Sequence, residues 1–143
     1  MNIKLLNSLA RVPVRGSQNA AGYDLYAATN EQIVIAPHET KKISTGLAME
    51  IPEGTFGAIF ARSGLATKNS LRPANCVGVI DSDYRGECIV ALHNDSDRDR
   101  WIMPGERIAQ LIILPYLSVD FNVVEELSDT ERGSGGFGST GVS

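Results

Sequence analysis

The sequence predicts an all-β fold, a sandwich or a jelly roll of short strands, with one short helix and a glycine-rich C-terminal tail. Three observations carry that reading. Pro13, Pro37, Pro52, Pro73, Pro104 and Pro115 leave few stretches in which a helix can run, whereas short strands joined by turns tolerate such spacing. Apolar residues recur with a period of two rather than the helical 3.6. Composition shifts sharply only once, where the chain turns to glycine and serine near its end.

The elements follow in chain order. Ile43, Thr45, Leu47, Met49 and Ile51 alternate with Ser44, Gly46, Ala48 and Glu50, the pattern of a half-buried strand. After a Pro52-Glu53-Gly54 turn, Phe56, Ala58 and Phe60 repeat the alternation. Ser63 to Lys68 is the one plausible helix, with Ser63 as its candidate N-cap. Two apolar runs flanking the polar stretch Asp81-Ser82-Asp83 read as a β-hairpin. Continuous runs at Ile89–Leu92 and Leu111–Leu114 suit strands covered on both faces. From Arg132 the chain reads Arg-Gly-Ser-Gly-Gly-Phe-Gly-Ser-Thr-Gly-Val-Ser, which builds no core and is expected to be mobile without a ligand. Residues 1–131 are therefore expected to form one domain, with 132–143 as its mobile closing segment.

Bulk properties narrow the function. A chain of 143 residues with 43% hydrophobic residues suits a single domain with a sizeable core. A net charge of −4 without a basic stretch argues against nucleic acid or an anionic membrane as the main partner. A phosphorylated small molecule stays compatible, since local N–H groups and one or two arginines suffice to hold it. No window resembles a signal peptide or a membrane span, so a cytoplasmic location, or the host cytoplasm for a viral protein, is the expectation. Cys76 and Cys88 form no disulfide framework and no metal-ligand cluster, and read as small buried apolar residues kept reduced. His38 and His93 are isolated and read as surface or structural residues.

Three segments carry chemistry. The tail reads either as a plain flexible end or as a lid whose glycine N–H groups wrap a polyphosphate. Arg132 would then add charge-assisted hydrogen bonds and Phe137 would stack on a base. Arg62-Ser63-Gly64 reads by itself as an N-capped turn; it also places a guanidinium, a hydroxyl and an open backbone at a helix N-terminus. Asp83 reads as a turn former. Asp81 closes an apolar run, where a partly desolvated carboxylate can serve as general base. A hairpin centred on Ser82 would also bring Cys76 and Cys88 near one another.

Five segments, in order, resemble the five motifs of the homotrimeric dUTPase family. They are Ala21-Gly-Tyr-Asp-Leu-Tyr-Ala-Ala28, Arg62-Ser-Gly-Leu-Ala66, Gly78-Val-Ile-Asp-Ser-Asp-Tyr-Arg-Gly86, Gly105-Glu-Arg-Ile-Ala-Gln-Leu-Ile112 and Arg132-Gly-Ser-Gly-Gly-Phe-Gly-Ser-Thr-Gly141. The resemblance spans residues 21 to 141. It implies a jelly-roll, distorted-barrel subunit in a three-fold trimer with active sites shared among chains. The implied reaction is Mg²⁺-dependent hydrolysis of dUTP to dUMP and pyrophosphate, which limits uracil in DNA and supplies dUMP for thymidylate synthesis.

By the same resemblance, Asp81 orients and deprotonates the attacking water, and Tyr84 packs under the deoxyribose where a 2′-hydroxyl would clash. Asn75, Val79, Ile80 and Ile89 fall where the family reads uracil. Arg62, Ser63, Gly64 and Gln110 match phosphate-contacting positions, and Arg132, Phe137, Gly138 and Ser139 match the closing tail. Asp24 matches a motif-one aspartate near the metal's water shell, with no direct protein ligand to Mg²⁺ expected. Ala61 stands where the family often has proline, and the stretch from Ile113 to Arg132 leaves no room for an inserted domain.

Two other functions share parts of this pattern. A dCTP deaminase on the same fold resembles this pattern but carries a glutamate on the strand after the hairpin, where this chain reads Ile89-Val-Ala-Leu-His-Asn94, and a second serine where it has Gly64. A nucleotide-dependent regulatory scaffold without catalysis is expected to have lost Asp81 or the tail, and both are present.

Overall fold

A computed structural model describes residues 1–136. Twelve elements follow one another: β1 (Ile3–Leu5), β2 (Val14–Arg15), β3 (Tyr23–Tyr26), β4 (Ile33–Ile35), β5 (Thr40–Met49), β6 (Thr55–Phe60), α1 (Ser63–Asn69), β7 (Leu71–Pro73), β8 (Gly78–Ile80), β9 (Glu87–Asn94), β10 (Arg100–Ile102) and β11 (Arg107–Pro115). They form a four-stranded sheet ordered β1-β5-β9-β7, a five-stranded sheet ordered β2-β3-β11-β6-β8, and a β10-β4 ribbon. The paired strands run antiparallel, and one apolar core joins Ile43 and Leu92 of the first sheet to Leu25 and Leu111 of the second and Ile35 and Ile102 of the ribbon. This is the jelly roll. Among the described residues no helix is long and apolar enough to cross a membrane.

Local detail departs from the period-two reading in several places, each with a packing cause. Along β5 every residue from Thr45 to Met49 is buried rather than every second one. The register with β9 shifts between Ser44 and Ala48, and β1 and the segment after it cover the outer side. In the middle of β6 both faces are buried, not only the expected one that carries Ala58. Ile59 joins the core, and a Cβ on Gly57 would lie 3.1 Å from Leu111 and 3.3 Å from both Ile51 and Ile80. A side chain at Gly57 would crowd those three residues, while on the other face Ala58 is fully buried and Phe56 and Phe60 are half-buried. Ile89–Leu92 is not covered on both faces: Ile89 is 45% exposed while Val90 and Leu92 are buried. Ile112 to Leu114 are likewise only half-buried, against a buried Leu111.

The helix begins one residue earlier than expected in capping terms. Arg62 is the N-cap, Ser63 is the first helical residue, and no side chain caps the end. The expected hairpin is not a hairpin. β8 pairs with β6 in one sheet, β9 pairs with β5 and β7 in the other, and no ladder joins β8 to β9. Cys76 and Cys88 are therefore not juxtaposed by a ladder; both are free, Cys88 buried and Cys76 exposed at φ 62. The expectation of burial fails for Cys76 because it sits in the turn that carries the chain between the sheets.

Candidate functional site

The missing ladder opens the first cleft. β7 ends at Pro73, the chain crosses to the other sheet as β8, and β8 becomes that sheet's edge. An edge strand presents unpaired backbone N–H and C=O groups, suited to the rim of a flat polar ligand. A cleft of about 300 Å³ lies between β8 and the start of β9. Asn75, Val79, Ile80, Asp81, Tyr84 and Ile89 line it. Val79 and Ile89 are exposed apolar residues there, at 62% and 45%. Tyr84 folds back over Gly86, where a Cβ would lie 2.4 Å from its hydroxyl, and that hydroxyl donates to the Glu87 carbonyl at 3.1 Å. Gly86 is thus required by the ring's position. Asp81 is exposed in the single chain rather than partly desolvated, because the run it closes forms an edge strand with open space beside it.

A second cleft of about 330 Å³ lies where β3, β11 and the start of α1 meet. Arg62, Ser63, Gln110 and Asp24 line it together with Arg107 and Gly22. The Asp24 side chain, only 13% exposed, accepts from Arg62 Nε at 2.9 Å and Arg107 Nη1 at 3.2 Å. Arg62 also donates to the Arg107 carbonyl at 3.3 Å. Two guanidiniums and one carboxylate leave a local charge of +1, which suits an anion. Gln110 Nε2 donates to the Ala61 carbonyl at 2.9 Å, and a Cβ on Gly22 would lie 2.5 Å from Gln110 Oε1. The glycine of the first motif therefore makes room for the glutamine of the fourth. Gly64 is exposed, and a Cβ placed there would meet nothing within 4 Å, so no packing inside this chain demands glycine at that position.

Most of the expected site residues thus divide between two clefts that a single chain does not bring together, and Gly64 lines neither. Arg132 lies in neither; its Nε donates to the Gly135 carbonyl at 2.9 Å. Phe137, Gly138 and Ser139 lie outside the described residues. Among the described residues, no three His, Cys, Asp or Glu side chains gather as a metal-binding group. The histidines are less isolated than expected: His38 contacts Asp97 at 3.0 Å, and His93 contacts Thr40 at 2.9 Å and Asp95 at 3.5 Å.

Lys42, Glu87 and Arg107 were not expected at the site, yet all three line it. Arg107 is hidden by a register shift between Arg107 and Ala109, which turns it to the Gln110 face; strict alternation assigns it to the other. Glu87 corrects the strand argument against deamination, since β9 begins two residues before Ile89 and does contain a carboxylate. That carboxylate accepts from the Ser44 hydroxyl and from the Gly46 N–H at 2.8 Å, so it is committed to holding β5. Cys88, at the back of this cleft, has its thiol pushed up to about 11, chiefly by burial.

A sequence model of the family described as dUTPase matches residues 9–141. The deoxyuridine 5′-triphosphate nucleotidohydrolase of Nautilia profundicola is 50% identical, covering 99% of this chain and 98% of the relative. That of Paramecium bursaria Chlorella virus 1 is 47% identical, covering 98% and 96%. Among solved structures, the Staphylococcus bacteriophage 80alpha dUTPase with dUPNHPP superposes with a TM-score of 0.90 at 36% identity, covering 99% of this chain and 98% of that one.

Proposed function

The chain belongs to the dUTPase family, and from that premise we propose that it hydrolyses dUTP to dUMP and pyrophosphate with Asp81 as the base. The observation that carries this reading is the pair of clefts. One offers a carboxylate, a sugar-sized ring and an unpaired strand edge; the other offers a cationic pocket beside a helix start. The dUPNHPP held by the bacteriophage relative supports a nucleoside triphosphate as the ligand.

In this reading the base enters between β8 and β9, with Asn75, Val79, Ile80 and Ile89 around it and Tyr84 against the deoxyribose. Polar edge matching rejects cytosine more sharply than shape rejects a methyl, because a mispaired buried polar group costs more than a methylene. Asp81 accepts a proton from a water that attacks the α-phosphorus. The bond to the bridging oxygen breaks, and pyrophosphate leaves with that oxygen. Positioning contributes more than basicity, since an exposed carboxylate is a weak base that gains from holding water in line. Arg62, Ser63, Gly64 and Gln110 hold phosphate oxygens. Residues 132–143 form the closing segment of the 1–131 domain, with Arg132 on the phosphates, Phe137 over the base, and Gly138 and Ser139 beside it.

The separation of the two clefts supports a homotrimer in which copies of the chain complete each site together. Mg²⁺ fits this donor set. The nearest carboxylate, Asp24, is already engaged by two arginines, so a hydrated ion carried by the triphosphate suits the site better than an all-protein cage. When bound, Mg²⁺ would neutralise phosphate charge, with Asp24 reaching it through water. The product would supply dUMP to thymidylate synthesis and the reaction would keep uracil out of DNA.

The test is pyrophosphate release from dUTP, dCTP, dTTP and UTP, with Mg²⁺ or with EDTA, for the native chain and Asp81→Asn. Release from dUTP alone, dependent on Mg²⁺ and lowered by about three orders of magnitude in the variant, is expected for loss of a positioned base. Undiminished turnover in Asp81→Asn would remove Asp81 from the mechanism. No release from any of the four would overturn the hydrolase reading.

A further inference from the structure

Arg72 stands in the middle of β7, outside both clefts. Its Nε and Nη2 form a two-pronged pair with the Asp95 carboxylate at 2.7 and 3.0 Å. Its remaining nitrogen, Nη1, points the other way. It donates to the carbonyls of Pro73 at 3.2 Å and Ala74 at 3.4 Å, and lies 4.0 Å from Cys76 Sγ. The Asp95 end is itself fixed, because the Asp95 N–H donates to the Ser70 carbonyl at 2.9 Å and His93 flanks the carboxylate at 3.5 Å. The planar guanidinium therefore ties the end of β9 to the turn that leaves β7.

That turn places the base-side rim of the Asp81 cleft. Within it Cys76 N–H donates to the Pro73 carbonyl at 3.0 Å and Val77 N–H to the Asn75 carbonyl at 2.6 Å. Cys76 adopts φ 62, a conformation that a non-glycine residue keeps only where its surroundings hold it. The Asn75 amide nitrogen sits over Gly78, 3.5 Å from where a Cβ would stand. Among the described residues no hydrogen bond holds that amide. Its place, and that of the first residue of β8, follow from the turn's backbone.

We infer that Arg72, braced by Asp95, is a positioning residue for pyrimidine recognition: it holds the 73–77 turn so that Asn75 and the free edge of β8 meet the base in one arrangement. This rests on reading the cleft as the base site. Asp81 lies at the far end of β8, with its carbonyl accepting from the Tyr84 N–H at 3.2 Å, and Arg72 does not touch that turn. Loosening Arg72 therefore acts on base binding and base discrimination before it acts on water attack. Lysine keeps a charge for Asp95 but has no rigid fork to reach the carbonyls at the same time.

The experiment compares the native chain, Arg72→Lys and Asp95→Asn in steady-state pyrophosphate release from dUTP and dCTP with Mg²⁺, well below each variant's melting temperature. The expected result for both variants is a KM for dUTP raised about tenfold, a kcat within about twofold, and a dUTP-over-dCTP preference lowered about tenfold. A purely structural role predicts instead a lower kcat at unchanged KM and unchanged preference, and that outcome overturns the inference. Native KM and preference in Arg72→Lys overturn it as well. If Arg72→Lys does not fold, Asp95→Asn, which preserves the shape of both side chains, is decided by the same criteria. A native chain that releases no pyrophosphate from dUTP overturns the hydrolase reading itself, a failure visible before any variant is compared.

Discussion

Replacing Asp24 by Asn separates two roles that its position suggests. The carboxylate is 13% exposed and joins Arg62, 26% exposed, to Arg107, 51% exposed. Unit charges about 4 Å apart at an effective dielectric of about 20 attract by about 4 kcal/mol before desolvation and ordering are subtracted. Net values run from below about 1 kcal/mol for exposed pairs to about 3–5 kcal/mol when one partner of a buried pair is removed. The Arg62 arm is partly buried and the Arg107 arm is mostly screened, so about 2 kcal/mol is expected for Asp24→Asn. With a denaturant slope of about 1–3 kcal/mol/M in urea, the unfolding midpoint should fall by about 1 M. Circular dichroism at fixed protein concentration measures this, since assembly would otherwise contribute.

The kinetic consequence discriminates further. Asn raises the net charge of the cleft by one, which by attraction alone would tighten phosphate binding. Loss of its grip on Arg62 instead lets the guanidinium swing, and misplacement of about 1 Å can cost up to about a hundredfold. We expect the second effect to win, with KM for dUTP raised about tenfold or more. A lowered KM, with stability unchanged within about 0.5 kcal/mol, would refute the argument that Asp24 acts by holding Arg62.

Four further outcomes are expected. In thiol titration at pH 8 the exposed Cys76 reacts quickly, while Cys88, pushed up to about 11 and buried, is about one part in a thousand thiolate and reacts only in denaturant; two fast thiols in the native protein would contradict this. Because the folded-state value lies above the ordinary 9.0, the stability that the neutral Cys88 thiol contributes is intact below pH 9 and lost as pH rises through about 11, so the stability gap between the native chain and Cys88→Ala should narrow across that window. Asn94→Ala should destabilise the fold by about 3–5 kcal/mol, read as a fall in Tm of about 10 °C or more. Asn94 is fully buried, its amide donates to the carbonyls of Ile35, Ala36 and Arg98, and its oxygen accepts from Ser96. Deleting residues from Arg132 onward should leave the assembled state unchanged in sizing chromatography and remove most activity; a dissociated product would make the segment structural.

Much of the candidate site was legible because its residues come as short local motifs whose chemistry is carried by identity and order. Asp81, Tyr84 and Asn75 line one cleft, and Arg62, Ser63 and Gln110 the other. What stayed hidden depends on contacts between distant segments. Arg107 faces Gln110 only through a bulge, and Glu87 reaches the cleft because β9 starts earlier than its apolar run. Arg72 gives no local sign of its role, since its carboxylate partner lies 23 residues away.

By itself the sequence determined the strand-rich class, the family and the set of chemical groups on offer. Those follow from periodicity, proline spacing and motif identity, all short-range properties of the chain. Tertiary structure alone decided that both faces of β6 are buried at its middle, with Leu111, Ile51 and Ile80 crowding the position of Gly57. It also decided that Gly78–Gly86 bridges two sheets instead of folding on itself. Strand alternation specifies that a residue is in or out relative to its neighbours, but the partner strand is chosen by the packing of the whole core. That choice leaves the edge of β8 unpaired, and the unpaired edge is where the cleft opens.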